Sequence, residues 1–155
     1  QFVDSIESLS RSVQLCQNCH NTTDQSLCDI CRDPKRDKTV MCVVETSEDI
    51  QYIEKISEYN GLYHVLGGTI DPLRGVHPED VNVDDIESRI AKDEVNEVII
   101  ATNPTLQGDT TASYIRKLLQ DKPITITMLG RGLTTGAHIE YVDEKSLKEA
   151  FQNRK

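Results

Sequence analysis

Positive charge is scarce in this chain: 17 Lys and Arg stand against 26 Asp and Glu, a formal net charge of -9 over 155 residues. Nucleic acid attracts protein chiefly through its phosphates, so a broad basic grip on DNA is excluded and direct binding by this chain alone should be weak. No run of about 18 apolar residues is present, which excludes a membrane-crossing helix. The first residues, Gln1-Phe2-Val3-Asp4-Ser5-Ile6, carry acid where a secretory signal needs an apolar stretch. They also lack an initiator methionine, and no internal repeat or low-complexity tract follows. An even set of cysteines is missing as well. Four of the five cluster and Cys42 stands alone, unlike a secreted disulfide framework, so a reducing, cytoplasmic setting is expected.

What remains is enough for one core of ordinary size with a small satellite module. Phe2, Ile6, Leu9 and Val13 recur at helical spacing. Residues 1–14 are therefore expected to be a helix entered partway, the chain beginning inside a longer protein. Thr39-Val40-Met41-Cys42-Val43-Val44 is continuously apolar, as a parallel strand buried on both faces should be. Thr46-Ser47-Glu48-Asp49 then supplies hydroxyls and carboxylates suited to a helix start, with Ile50, Ile53 and Ile56 facing inward. Leu62 to Leu66 reads as a short strand, followed by a loop over 67–78 rich in glycine and proline. Asn82 is expected to cap a helix carrying Val83, Ile86 and Ile90, before a second buried strand from Val95 to Thr102. Asp109 is read as opening or capping a helix with Ala112, Ile115, Leu118 and Leu119 on one face. Ile124 to Leu129, then Ile139 to Val142, are further strands, and a terminal helix starts at Glu144. Strands alternating with helices imply right-handed crossovers and an α/β fold with a mainly parallel sheet flanked by helices.

Cys16, Cys19, Cys28 and Cys31 have the spacing C-x2-C-x8-C-x2-C. A two-residue gap lets both sulfurs of a pair reach one ion, and four soft anionic ligands in a tetrahedron suit zinc. A closed C4 zinc finger over 15–38 is expected, holding one structural Zn2+ that cannot activate water. Such a site is formally about two units more negative than the neutral-cysteine charge count. Arg11, Arg32, Lys35, Arg36 and Lys38 are expected to offset that charge, contact with phosphates being the alternative. Free thiols or a rubredoxin-like redox iron site are the alternatives, although no aromatic cluster surrounds the cysteines. His20 is read as exposed and idle, His64 and His138 as lying in or beside strands without a role, and Cys42 as a small core residue. Gly67-Gly68 is followed by no G-K-[ST], so nucleotide binding has little support.

Ligands of parallel sheets sit beyond the carboxyl ends of the strands, where Glu45 and Asn103 fall. Here the sequence resembles the Toprim domain of topoisomerases and primases, over 39–136. In that family a glutamate ends the first strand, and a later D-x-D pair with a downstream glycine and acid completes the site. Glu45 matches the glutamate, Gly108 the glycine and Asp109 the acid, but Asn103 and Thr105 stand where the two aspartates should be. Magnesium is a hard ion that phosphoryl transfer needs, and those two positions offer only neutral oxygens. The resemblance with this departure implies no catalysis. A magnesium-dependent Toprim enzyme, primase-like or nuclease, with a structural zinc is the alternative.

The order of zinc module and degenerate Toprim is similar to the bacterial RecR family of recombination mediators. So are Val43-Val44-Glu45, Gly67-Gly68-x-Ile70-x-Pro72-Leu73, Ala101-Thr102-Asn103-Pro104-Thr105, Gly132-Leu133-x-x-Gly136 and Glu140-Tyr141-Val142-Asp143. Two departures are Thr134, where that family has proline, and His77, where it has glycine. The resemblance implies a non-catalytic role in DNA repair as a ring-like homo-oligomer, joining RecO and RecF to load recombinase on gapped DNA. It also implies an N-terminal helix-hairpin-helix domain, outside this chain, that contacts DNA; residues 137–155 would be a C-terminal strand and helix. The surface of Glu45, Asn103 and Asp109 is the expected partner-binding face for RecO.

Overall fold

The computed structural model describes Val3 and residues 12–155. The helix expected over 1–14 falls almost wholly outside the described residues, and Gln14 already belongs to a strand. β1 (Gln14–Leu15) pairs antiparallel with β2 (Thr22–Thr23), and a short helix α1 (Asp29–Arg32) follows. The interior of this finger is little more than the cysteines themselves, Cys16, Cys19 and Cys28, touched by Leu27, Ile30 and Cys31.

β3 (Asp37–Val44) emerges from the finger, and its second half, Met41 to Val44, is buried on both faces. Side chains alternate across a strand, so Met41 and Val43 feed one core while Cys42 and Val44 feed another. β4 (Gly61–Val65) and β5 (Glu97–Ile100) pair with β3 on either side, and β6 (Thr125–Met128) extends from β5, all parallel in the order β4-β3-β5-β6. Helices α3 (Ile86–Asp93) and α4 (Leu106–Leu119) cover one face through Ile86, Ile90, Ala112, Ile115 and Leu119. α2 (Ser47–Lys55) covers the other through Ile50 and Ile53, joined there by Ile30 of the finger. The chain ends in α5 (Glu144–Gln152). β4 is an edge strand, yet all five of its residues are buried. The finger seals that edge: the Val65 N–H donates to the Cys19 carbonyl at 2.8 Å. Sealing an edge removes a row of free backbone groups that would otherwise invite unwanted pairing.

The α/β class, the order of strands and helices and the start of α2 agree with the sequence expectation; the Thr46 N–H is capped by Asp49 Oδ2 at 3.0 Å. Other expectations are not met: Ile56, expected to face inward, lies just past the end of α2 and is exposed. Asn82 does not cap α3, which begins four residues later, because its amide instead donates to the Val65 carbonyl at 3.1 Å and ties down the end of β4. Asp109 neither opens nor caps α4: Thr105 is the N-cap, its hydroxyl accepting from the Gly108 N–H at 3.0 Å, so Asp109 lies inside the first turn. Ile139 to Val142 is not a strand but a single 3-10 turn, Ile139–Tyr141, with Ile139 and Tyr141 exposed. Among the described residues no strand pairs with it, and a strand without a ladder leaves its backbone groups unmet.

Ile115 is fully buried between α4 and the sheet. Truncating it to alanine removes three methylene-sized groups from a close-packed layer, so Ile115→Ala is expected to cost about 2–5 kcal/mol. Urea denaturation checks this; a loss below about 1 kcal/mol would mean the layer collapses around the gap.

Candidate functional site

The four finger cysteines converge as their spacing predicts. Their sulfurs all lie within 4.8 Å of one another, with Cys19 Sγ and Cys28 Sγ 3.6 Å apart. Two donors point at sulfur: the Cys28 N–H reaches Cys16 Sγ at 3.3 Å and Asn18 Nδ2 reaches Cys31 Sγ at 3.7 Å. Donors aimed at sulfur stabilise thiolates, the form that binds metal. Hydrogen bonds from the neighbouring Cys19 and Cys31 thiols pull the Cys28 thiol far down, while the same contacts push Cys19 up. Sulfurs this close cannot all ionise together unless a cation sits among them. The donor set therefore fits one soft divalent ion, and four protein ligands leave no open position for substrate. The other cysteine, Cys42, is buried in β3, and desolvation pushes its thiol up to about 12, the behaviour of a core residue.

At the carboxyl ends of β3 and β5 the structure brings Glu45 and Asn103 into direct contact. The Asn103 backbone N–H donates to Glu45 Oε1 at 2.8 Å, and its side-chain Nδ2 donates to Oε2 at 2.9 Å. Both carboxylate oxygens are thus engaged by a neutral residue. Gly108, in the first turn of α4, completes the arrangement by its lack of a side chain. A Cβ there would collide with the Asn103 carbonyl oxygen and sit 3.1 Å from Glu45 Oε1.

Asp109 is next in sequence but turned to different work. Its oxygens accept from Arg131 at 2.6 Å and Lys145 at 3.1 Å, and Arg131 also lies 3.6 Å from Glu149. Asn153 Nδ2 donates to the Arg131 carbonyl at 2.9 Å. Asp109 is therefore the hub that fastens α5 and the segment before it onto α4. The hydrogen bond from Arg131, with Lys145 beside it, holds the Asp109 carboxyl below its ordinary range. A cleft of about 200 Å³ opens nearby between the ends of β5 and β6, lined by Thr102, Asn103, Met128 and Arg131 among others. That is smaller than the roughly 300–1,000 Å³ of ordinary small-molecule sites.

A Toprim domain family model matches residues 39–130. The chain is 46% identical to recombination protein RecR of Lactococcus lactis subsp. cremoris strain MG1363, over 99% of its own length and 78% of that protein's. The chain belongs to the RecR family. It is also 43% identical to recombination protein RecR of Staphylococcus saprophyticus (99% of this chain, 78% of that one) and 42% identical to that of Thermobifida fusca (100% and 78%). Among the described residues, no helix is long and apolar enough to cross a membrane.

Within this RecR-family chain the sequence located the cysteine set and the Glu45–Asn103 pair, but not the partners of Asp109. Arg131 and Lys145 lie 22 and 36 residues further on, and only the fold of the C-terminal segment brings them near. His20 differs from expectation, and His64, although it lies in β4 as expected, is not without partners. His20 is only partly exposed and sits 2.5 Å from Asp85, and His64 is wholly buried with its ring held by Asn82 and Arg89. No local signal in the sequence marks Asp85 as their partner.

Two outcomes test this geometry. Gly108→Ala should force the Asn103 loop away from α4 and cost about 1–3 kcal/mol, read by thermal or urea unfolding. A carboxyl with a lowered folded-state pKa contributes stability that is complete above its ordinary value, here 3.8, and is lost as pH falls through the depressed value. Wild type should therefore lose more stability than Asp109→Asn on acidification from about pH 5 to pH 2; parallel curves would show the clasp to be without weight.

Proposed function

We propose that this chain is the zinc-finger and Toprim part of a non-catalytic recombination mediator in DNA repair, acting in the cytoplasm. The four cysteines, Cys16, Cys19, Cys28 and Cys31, hold one structural zinc ion over 15–38. Residues 39–136 form the Toprim domain and 137–155 the C-terminal extension. The face at Glu45, Asn103 and Asp109 receives RecO, and the assembled homo-oligomer brings RecF and DNA together for recombinase loading on gapped DNA. DNA contact belongs mainly to a helix-hairpin-helix domain outside this chain, in keeping with the net charge of -9.

One observation carries the non-catalytic reading. Where a phosphate-handling Toprim enzyme presents acids to magnesium, Asn103 spends its backbone and side-chain N–H groups on both oxygens of Glu45. Asp109, the remaining acid, is neutralised by Arg131 and Lys145. A hard divalent ion needs several anionic or water oxygens, and both Glu45 and Asp109 are already engaged by other side chains.

Metal analysis is expected to return about one zinc ion per chain, and Cys28→Ser should lose it together with the fold of the finger. Calorimetric titration with RecO should show Glu45→Lys binding at least about tenfold more weakly, on the scale of a truncated interface hot spot. Unchanged affinity would remove the docking face, and magnesium-dependent cleavage or synthesis abolished by Glu45→Gln would replace the scaffold reading with an enzyme.

A further inference from the structure

His20 follows the second finger cysteine and adopts φ 64°, the left-handed region that glycine enters without strain. The side chain kept there is engaged. Its Nε2 lies 2.5 Å from Asp85 Oδ2, and its ring meets His64 edge to face with centroids 5.3 Å apart. His64, fully buried on β4, has Nε2 2.5 Å from the Asn82 carbonyl and Nδ1 3.3 Å from Arg89. Arg89, also buried, donates to the Tyr63 carbonyl at 2.6 Å. Asn82 returns to the residue just past β4, its backbone N–H donating to the Leu66 carbonyl at 2.9 Å. The chain then leaves β4 beside the partner-binding face, where the Gly67 N–H donates to the Glu45 carbonyl at 2.9 Å.

His20, His64 and Asp85 converge closely enough to suggest a second metal site. Arg89 opposes that reading. A guanidinium has only donors, so His64 Nδ1 must accept from it. The neutral ring then carries its proton on Nε2, which gives it to Asn82 and has no lone pair left for a metal. A fixed cation against the ring disfavours a second one further.

We propose that His20 transmits metal occupancy of the finger to residues 66–85, so that zinc loading orders the 81–85 turn and the loop running beside Glu45. The inference rests on the zinc reading of the four cysteines. Their turn sets the position of His20, whose N–H donates to the Cys16 carbonyl at 3.0 Å. With almost no apolar core among the described residues, the knuckle holds its shape only while the sulfurs are gathered on an ion. When it melts, Asp85 loses the imidazole and Val65 loses the Cys19 carbonyl. The two links are separable, because one is a side chain and the other is backbone.

Hydrogen exchange read residue by residue tests this, after metal content is measured. Chelating zinc from the wild type should speed exchange at Val65, Asn82 and Arg89 by at least about tenfold. Zinc-loaded His20→Gly, whose backbone suits φ 64°, should keep its metal and protect Val65 while exchanging fast at Asn82 and Arg89. Zinc-loaded Asp85→Ala should show the same pattern. Wild-type protection at Asn82 and Arg89 in His20→Gly would overturn the proposal, as would unchanged exchange on chelation. Two zinc ions per chain, one of them lost in His20→Gly, would overturn it in favour of a second metal site. A wild type without zinc would instead overturn the finger reading and this inference with it.

Discussion

A carboxylate at the end of a buried parallel strand must find hydrogen-bond donors, water or a cation, and in this protein it finds Asn103. The double hydrogen bond from Asn103 to Glu45 ties the carboxyl ends of β3 and β5 together at the point where a parallel sheet offers its ligand site. Gly108 allows α4 to start close enough to press on that pair, and Thr105 caps the helix just before it. The same fold that elsewhere gathers acids around magnesium here uses its one strand-end glutamate as a brace. On the reading proposed above, a surface whose acids are already engaged by neighbouring residues would serve recognition by another protein better than phosphoryl transfer.

The finger is stable on different terms from the rest of the molecule. The sheet domain has two apolar cores, one on each face of β3, whereas the finger has four sulfurs and a few side chains around them. Among the described residues its shape depends on the gathered sulfurs and on what it leans on. It leans on β4, through the Cys19 carbonyl, through Ile30 and through the His20 ring against His64. The edge strand needs cover, and the finger needs a wall. Each meets a requirement that the other could not meet alone, so the two modules are better regarded as one folding unit joined along β4.

Much of this was legible in order along the chain. Continuous apolar character at Met41 to Val44 announced a doubly buried strand because a parallel strand has no solvent face. Thr46 and Asp49 announced a helix start because capping is local. What misled was also local. Asn82 and Asp109 are good caps by type, yet the fold spends the first on β4 and the second on Arg131 and Lys145. Ile139 to Val142 has strand-like residues but no neighbouring strand to pair with among the described residues, and pairing is not a property of one segment.

The sequence by itself determined the set of four cysteines that fits a metal ion, the alternation of strands and helices, and the absence of the paired aspartates, because each depends on residue type and short spacing. Tertiary structure alone decided that Asn103 would close on Glu45, that Asp109 would clasp the C-terminal segment, and that His20 would meet Asp85 across 65 residues. These contacts join groups far apart in the chain, and their partners are fixed only once the strands are in register and the finger has settled on the sheet edge.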